Sequence, residues 1–177
     1  MSVLTRTPQN TNTIQPTKYL LVFDRIPNAQ YFCQTVNIPG VSTGSAVYNT
    51  PVYDINVASN KMAYNLFTIK FLIDEQVQSW QDLYNWFLSY ASPQGFDQRN
   101  ALTRIQNAKK NQGYLTSYSD ATLNVLSGLN NPLVRVHFTN MFPVSLGDIN
   151  FDTTESADTI LTADATFMFE YMEFVQL

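Results

Sequence analysis

Apolar and polar residues alternate along most of this chain, and in one stretch only do apolar residues recur at helical spacing. The first two-residue period runs from Tyr19 to Arg25, with Tyr19, Leu21 and Phe23 on one face, and predicts a strand. Pro27 and Asn28 predict a turn, and Gln30 to Val36 a second strand, so the pair reads as a hairpin. The run YFCQTVNIPGVS then ends a core strand and turns the chain at Pro39 and Gly40. Proline fixes φ and lacks the amide hydrogen, and glycine permits the dihedrals of a sharp turn. Val41 to Lys61, rich in small, β-branched and aromatic residues with Asn49, Thr50 and Pro51 midway, predicts a long extended hairpin (about 41–61). It has little apolar content to bury, so ordering it costs conformational entropy with little to offset it, and it is expected to lean on another subunit.

Tyr64 to Ile73 is the clearest strand, with Phe67, Ile69, Phe71 and Ile73 on one face. Asp74 suits a helix N-cap, and Glu75 stands at the positive end of the dipole. Trp80, Leu83, Tyr84, Phe87, Leu88 and Ala91 recur at helical spacing and predict a helix over about 75–90, ended by Pro93 and Gly95. From Tyr114 the pattern is strand again. Ala121, Leu123 and Val125 alternate, and Gly128 to Pro132 turns the chain. Val134, Val136 and Phe138 oppose Leu133, Arg135, His137 and Thr139. Phe142 to Phe151 is broken by Gly147, and Thr162 to Val175 sets Ala163, Ala165, Phe167, Phe169 and Tyr171 on one face. Seven or eight strands joined by short turns, with one helix, predict a mainly β fold: an antiparallel β-barrel or sandwich with the helix packed across one side. The 177 residues read as a single domain (1–177) that begins with a polar, flexible N-terminal arm, 1–17.

Composition changes this picture in one respect. Residues are 45% apolar and 14% aromatic, as in a folded domain, but only 14% are charged, where about a quarter is usual. The surface is therefore covered by uncharged polar groups or buried against other chains. The net charge of −4 opposes tight binding to a nucleic-acid backbone. Arg99, Arg104, Lys109 and Lys110 gather in segment 93–113, which reads either as a solvated loop or short helix or as a patch that meets an acidic partner. After Arg135 there is no Lys or Arg, while Asp148, Asp152, Glu155, Asp158, Asp164, Glu170 and Glu173 all follow. Such an acidic surface serves solubility, or meets the basic segment of another copy. No apolar run approaches a membrane span and no signal-peptide pattern begins the chain, so a soluble protein is expected.

Candidate chemistry is thin. One cysteine excludes an internal disulfide, and with one histidine it makes no metal site of common spacing. Cys33 and His137 stand on separate strands with no orienting carboxylate or amide, so Cys33 reads as core packing. Asp164 with Glu170, or Asp148 with Asp152, is the kind of carboxylate pair a glycosidase uses, but any acidic β protein offers such pairs. There is no phosphate loop, no metal-ligand cluster and no nucleophile elbow, so neither an enzyme nor a bound cofactor is expected. A carbohydrate-binding sandwich would need exposed tryptophan beside carboxylates, whereas both tryptophans lie on the predicted helix.

The order of segments resembles the tail tube protein family of contractile-tailed, T4-like bacteriophages, including tube-like baseplate proteins. The likeness is carried by FCQTVNIPG, the small-residue hairpin, FLIDE, the helix SWQDLYNWFLSY and the closing aromatic run FMFEYMEF, and it spans about residues 17–92 and 114–175. Segment 93–113 resembles an insertion. The resemblance implies a structural virion protein of the phage tail, assembled in the host cytoplasm. Six copies would form a ring whose strands join in one inner β-barrel, and rings would stack into a tube through which DNA passes without specific binding. The hairpin, through Val41, Tyr48, Pro51, Tyr53 and Asn60, would reach the neighbouring ring. Asp164 and Glu170 are the candidate lumen acids, which would repel passing DNA. Arg99, Arg104, Lys109 and Lys110 would contact the next ring, the sheath or the baseplate. A baseplate tube initiator, or another tail component of the same fold, is the alternative within this class.

Overall fold

The period at the start of the chain forms strand β1 (Tyr19–Phe23), with Leu21 and Phe23 buried. In this computed structural model, residues 11–91, 93–95, 97, 118–156 and 158–177 are described. The expected first hairpin does not form. Pro27 instead opens a one-turn helix, α1 (Pro27–Tyr31), where its fixed φ is favourable and its missing amide is not needed. Ile26 and Ala29 bury this turn in the core, and it swings the chain to the opposite sheet. There β2 (Cys33–Val36) pairs with β5 (Phe67–Leu72), while β1 pairs with β6 (Ser119–Leu126), always antiparallel.

Two four-stranded sheets result. The first runs β1, β6, β7 (Pro132–Leu146) and β9 (Tyr171–Gln176). The second runs β2, β5, β8 (Thr162–Met168) and the later half of β7. The fold is thus mainly β and sandwich-like, as expected, but not a closed barrel. The break expected between Thr139 and Phe142 is instead a bend in one strand. Asn140 adopts φ 53, a left-handed conformation that asparagine tolerates, and the buried positions shift there from Val136 and Phe138 to Met141 and Pro143. The facing chain shifts at the same rung, from Ala163, Ala165 and Phe167 to Met172, so the single strand expected over Thr162 to Val175 divides into β8 and β9. Asn140 Nδ2 donates to Glu170 Oε2 at 2.5 Å, the Glu170 amide to Thr139 O at 3.1 Å, and the Asn140 amide to Asp120 Oδ1 at 3.0 Å. The last two satisfy backbone groups that the bend takes out of the ladder, and the first joins the side chains on either side of it.

Between the sheets lies an aromatic core. Phe167 meets Phe23 at 5.5 Å, Phe67 at 6.1 Å and Trp86 at 5.8 Å, and Phe67 meets Phe138 at 4.8 Å between ring centroids. The guanidinium of Arg25 lies 5.1 Å over the Trp86 ring, and its burial lowers its pKa to about 10.

Trp86 belongs to helix α2 (Gln78–Leu88), which starts later than the spacing predicts. Asp74 still caps it, from outside the first turn. Its Oδ1 accepts from the Ser79 amide (3.0 Å) and hydroxyl (2.9 Å), and its Oδ2 from the Gln78 amide (3.1 Å). The bond from the Ser79 amide, foremost, holds the carboxyl below its usual 3.8. A depressed folded pKa means stability that is present above the unfolded value and lost as pH falls through the folded one. Asp74→Ala is therefore expected to cost about 1 kcal/mol at neutral pH. Denaturant titrations should show that cost vanishing well below 3.8, and a pH-independent cost would mean that Asp74 acts by packing alone.

The buried face of α2 is Ser79, Leu83, Trp86 and Ser89, not the face of Trp80 and Tyr84. Trp80 is half-buried. Its indole stacks on Tyr84 at 5.5 Å and donates to Gly147 O at 3.1 Å. Gly147 in turn donates its amide to Asp164 O at 2.7 Å. A Cβ on Gly147 would stand 3.0 Å from that oxygen and 3.1 Å from the Asp164 nitrogen, both backbone atoms. Gly147→Ala is expected to cost about 1–3 kcal/mol by overpacking. A drop in thermal midpoint with altered Trp80 fluorescence would register it, and an unchanged midpoint would show that the backbone yields freely.

Candidate assembly surface

The hairpin predicted over about 41–61 is present as β3 (Val41–Asn49) and β4 (Asp54–Tyr64). Nearly every residue of it is exposed, and among the described residues no other element packs extensively along it. Nine residues of β3 reach about 30 Å from the body at the usual strand rise. At the tip, the Tyr53 amide donates to Thr50 Oγ1 at 3.2 Å, and the Thr50 amide to Tyr53 O at 3.3 Å. Register divides the outer half into two faces. Tyr48 lies opposite Ile55 and Ala46 opposite Val57, which makes one face wholly apolar. Asn49 lies opposite Asp54 and Val47 opposite Asn56 on the other. Of the expected contact residues, Val41 stands at the root, Tyr48 on the apolar face, Pro51 and Tyr53 at the tip, and Asn60 beside the irregularity opposite Gly44.

The sheet edges differ in what covers them. At β1 the Phe23 amide donates to Gln30 Oε1 of α1 at 2.9 Å, and the Tyr19 hydroxyl to Gln34 O at 2.6 Å, so this edge is occupied from within. Among the described residues, β2 and β9 end their sheets with no strand beyond. Strand β9 exposes Tyr171, which the sequence pattern sets with the core face, together with Phe174 and Val175, which it does not single out. Open edges of this kind are templates for another chain.

Asp164 and Glu170 are both exposed but differently placed. Asp164 shares a rung with Lys70 on the outer face of the second sheet, whereas Glu170 is held by Asn140 at the bend. Arg99, Arg104, Lys109 and Lys110 lie outside the described residues, as does arm segment 1–10. Cys33 and His137 do not meet as a pair. The thiol, pushed up to about 11 by burial, donates to Thr35 O at 3.3 Å, and His137 Nδ1 lies 3.2 Å from Thr122 Oγ1. A thiol so seldom ionised is a poor nucleophile. Trp86 is 1% exposed, so it offers no platform for a sugar. Among the described residues, no group of three or more His, Cys, Asp or Glu side chains is placed to hold a metal, and no helix is long and apolar enough to cross a membrane.

Among the described residues, an antiparallel sandwich with open edges and an exposed hairpin reaching about 30 Å defines a class of fold suited to pairing with other protein chains. The particular family follows from comparison with known proteins. This chain belongs to the phage tail tube protein family, which matches residues 8–175, and it is accordingly a structural component of the virion and not an enzyme. The tail tube terminator protein of Enterobacteria phage T4 is 25% identical over 144 residues, covering 79% of this chain and 74% of that protein. The tube-terminating cap of the anti-feeding prophage shares the fold at TM-score 0.60 and 12% identity, over 100% of both chains. A chain from the sheath–tube complex of the PVC extracellular contractile injection system shares it at TM-score 0.57 and 13% identity, over 94% of both.

Proposed function

We propose that this protein forms a ring of the inner tube of a contractile phage tail, and that the β3–β4 hairpin docks its apolar face on a copy in the adjoining ring. The observation that carries this reading is the hairpin itself: Tyr48, Val57 and Val52 are 66%, 51% and 89% exposed, on an element with no core of its own. An isolated two-stranded hairpin is marginal in water, so its order and its apolar face both call for a partner. Within the ring, the free edges of β2 and β9 offer strand pairing between neighbours, with six copies per ring as the proposed number. Asp164 and Glu170 are the proposed channel acids, although Lys70 offsets the charge of Asp164 locally. Sheath and baseplate proteins are the proposed further partners, with Arg99, Arg104, Lys109 and Lys110 as their contacts.

The T4 relative favours a second reading of position, in which a single ring ends the tube. Negative-stain microscopy of the purified protein over a concentration series decides between them. Long hollow tubes establish the repeating subunit. Isolated rings that bind the ends of preformed tubes establish the terminator. A monomer at every concentration that also ignores tube ends would refute both.

A further inference from the structure

The hairpin joins the body through two short crossings, residues 37–40 and 65–66, and one side chain spans both. The amide of Asn37 donates to Thr68 O at 3.3 Å, which extends the β2–β5 ladder by one rung. Its side chain then bonds the returning strand twice. Asn37 Oδ1 accepts from the Thr68 amide at 2.6 Å, and Nδ2 donates to Leu66 O at 3.0 Å. These two bonds fix the orientation of the carboxamide, because the flipped group would set donor against donor and acceptor against acceptor. One rung further out, the Asn65 amide donates to Gly40 O at 2.9 Å and ties the two crossings together. A Cβ on Gly40 would stand 2.9 Å from Asn65 Nδ2, so glycine is what admits that approach. Pro39 is buried behind the crossing, and the Tyr64 ring rests on Phe169 at 5.2 Å.

We infer that Asn37 is a positioning residue, a clamp at the neck that fixes the direction in which the hairpin leaves the body. A lever about 30 Å long magnifies any freedom at its root, since a swing of a few degrees there moves the tip by ångströms. A docking element with one apolar face must also arrive with that face correctly turned. The backbone alone ties the two legs by single bonds, Asn37 to Thr68 and Asn65 to Gly40, and the Asn37 carboxamide adds two more between them. The link to docking rests on the stacking role proposed above; the clamp itself does not.

The test separates the two. Spin labels at Val52→Cys, on the tip, and Leu129→Cys, on the body, both in a Cys33→Ala background, report the tip-to-body distance in the full chain by pulsed resonance. With Asn37 present the distribution is expected to be narrow. Asn37→Ala should broaden it and speed hydrogen exchange at the Thr68 amide by roughly ten-fold, with Trp86 fluorescence unchanged. Asn37→Asp, which keeps the acceptor for Thr68 but sets an oxygen against Leu66 O, should broaden it as well and serves if the alanine variant does not fold. Equal widths in wild type and variants would overturn the clamp. A broadened distribution with ring stacking at the wild-type level would overturn its role in docking. Stacking that survives loss of the hairpin tip would instead refute the stacking reading, and leave the distance measurement to judge the clamp.

Discussion

Replacing Val47–Asn56 by an Asn-Gly turn is expected to abolish stacking between rings while leaving the body folded. Ala46 and Val57 share a rung, so a two-residue turn between them keeps the register of the shortened hairpin. None of the excised residues belongs to the buried core, and unfolding free energy should change by less than about 1 kcal/mol. Against a neighbouring ring, the lost Tyr48 and Ile55 alone represent at least about 1.5 kcal/mol each of apolar burial. Together with Val52 at the tip the loss is about 4.5 kcal/mol, or roughly a thousandfold in association at each contact. Sedimentation and electron microscopy read the result directly, and tubes of normal length from the shortened protein would sink the stacking proposal.

Phe167→Ala is expected to be the most damaging single substitution in the body. The ring is fully buried and joins three elements at once, through Phe23 of β1, Phe67 of β5 and Trp86 of α2. Its loss leaves a cavity between rigid sheets that cannot collapse, at about 3–5 kcal/mol. That is a large share of the roughly 5–15 kcal/mol that holds a domain together. Chemical denaturation followed by Trp86 fluorescence measures it. A loss under about 1.5 kcal/mol would show that the sandwich closes over the gap.

The contrast between these substitutions shows where the sequence is readable. Strand β5 and the hairpin were legible because their patterns are local: Phe67, Ile69 and Phe71 alternate, and the hairpin declares itself by lacking a core. The buried face of α2 was not, because it passes through Ser79 and Ser89, and no scale of apolarity marks a serine as core. Ser79 is buried because Asp74 takes its hydroxyl and amide. Helix α1 is a single turn, too short to show a period, so Pro27 read as the turn of a hairpin. The bend at Asn140 was invisible as such, since a break in alternation reads as the end of a strand unless the facing strand is known to break with it. Asn37 stood in the open as part of NIPG, yet its two side-chain bonds go to Leu66 and Thr68, about thirty residues further on. Spacing along the chain carries no trace of such a partnership.

The same separation bears on the order of events as the chain leaves the ribosome. Both strands of the hairpin have been synthesised once Tyr64 is added, before the strand that anchors them. The neck closes only when Thr68 offers its amide to Asn37, and β1 finds β6 only about a hundred residues after its own synthesis. Until then the hairpin is an isolated ribbon, mostly unformed in water. The projecting shape is therefore set in two steps: its neck can close soon after Thr68 is made, but the sheets that carry it are complete only once β9 has been added. On the stacking proposed above, a chain still in synthesis carries its docking element without a finished body to hold it, so productive docking is expected of completed molecules.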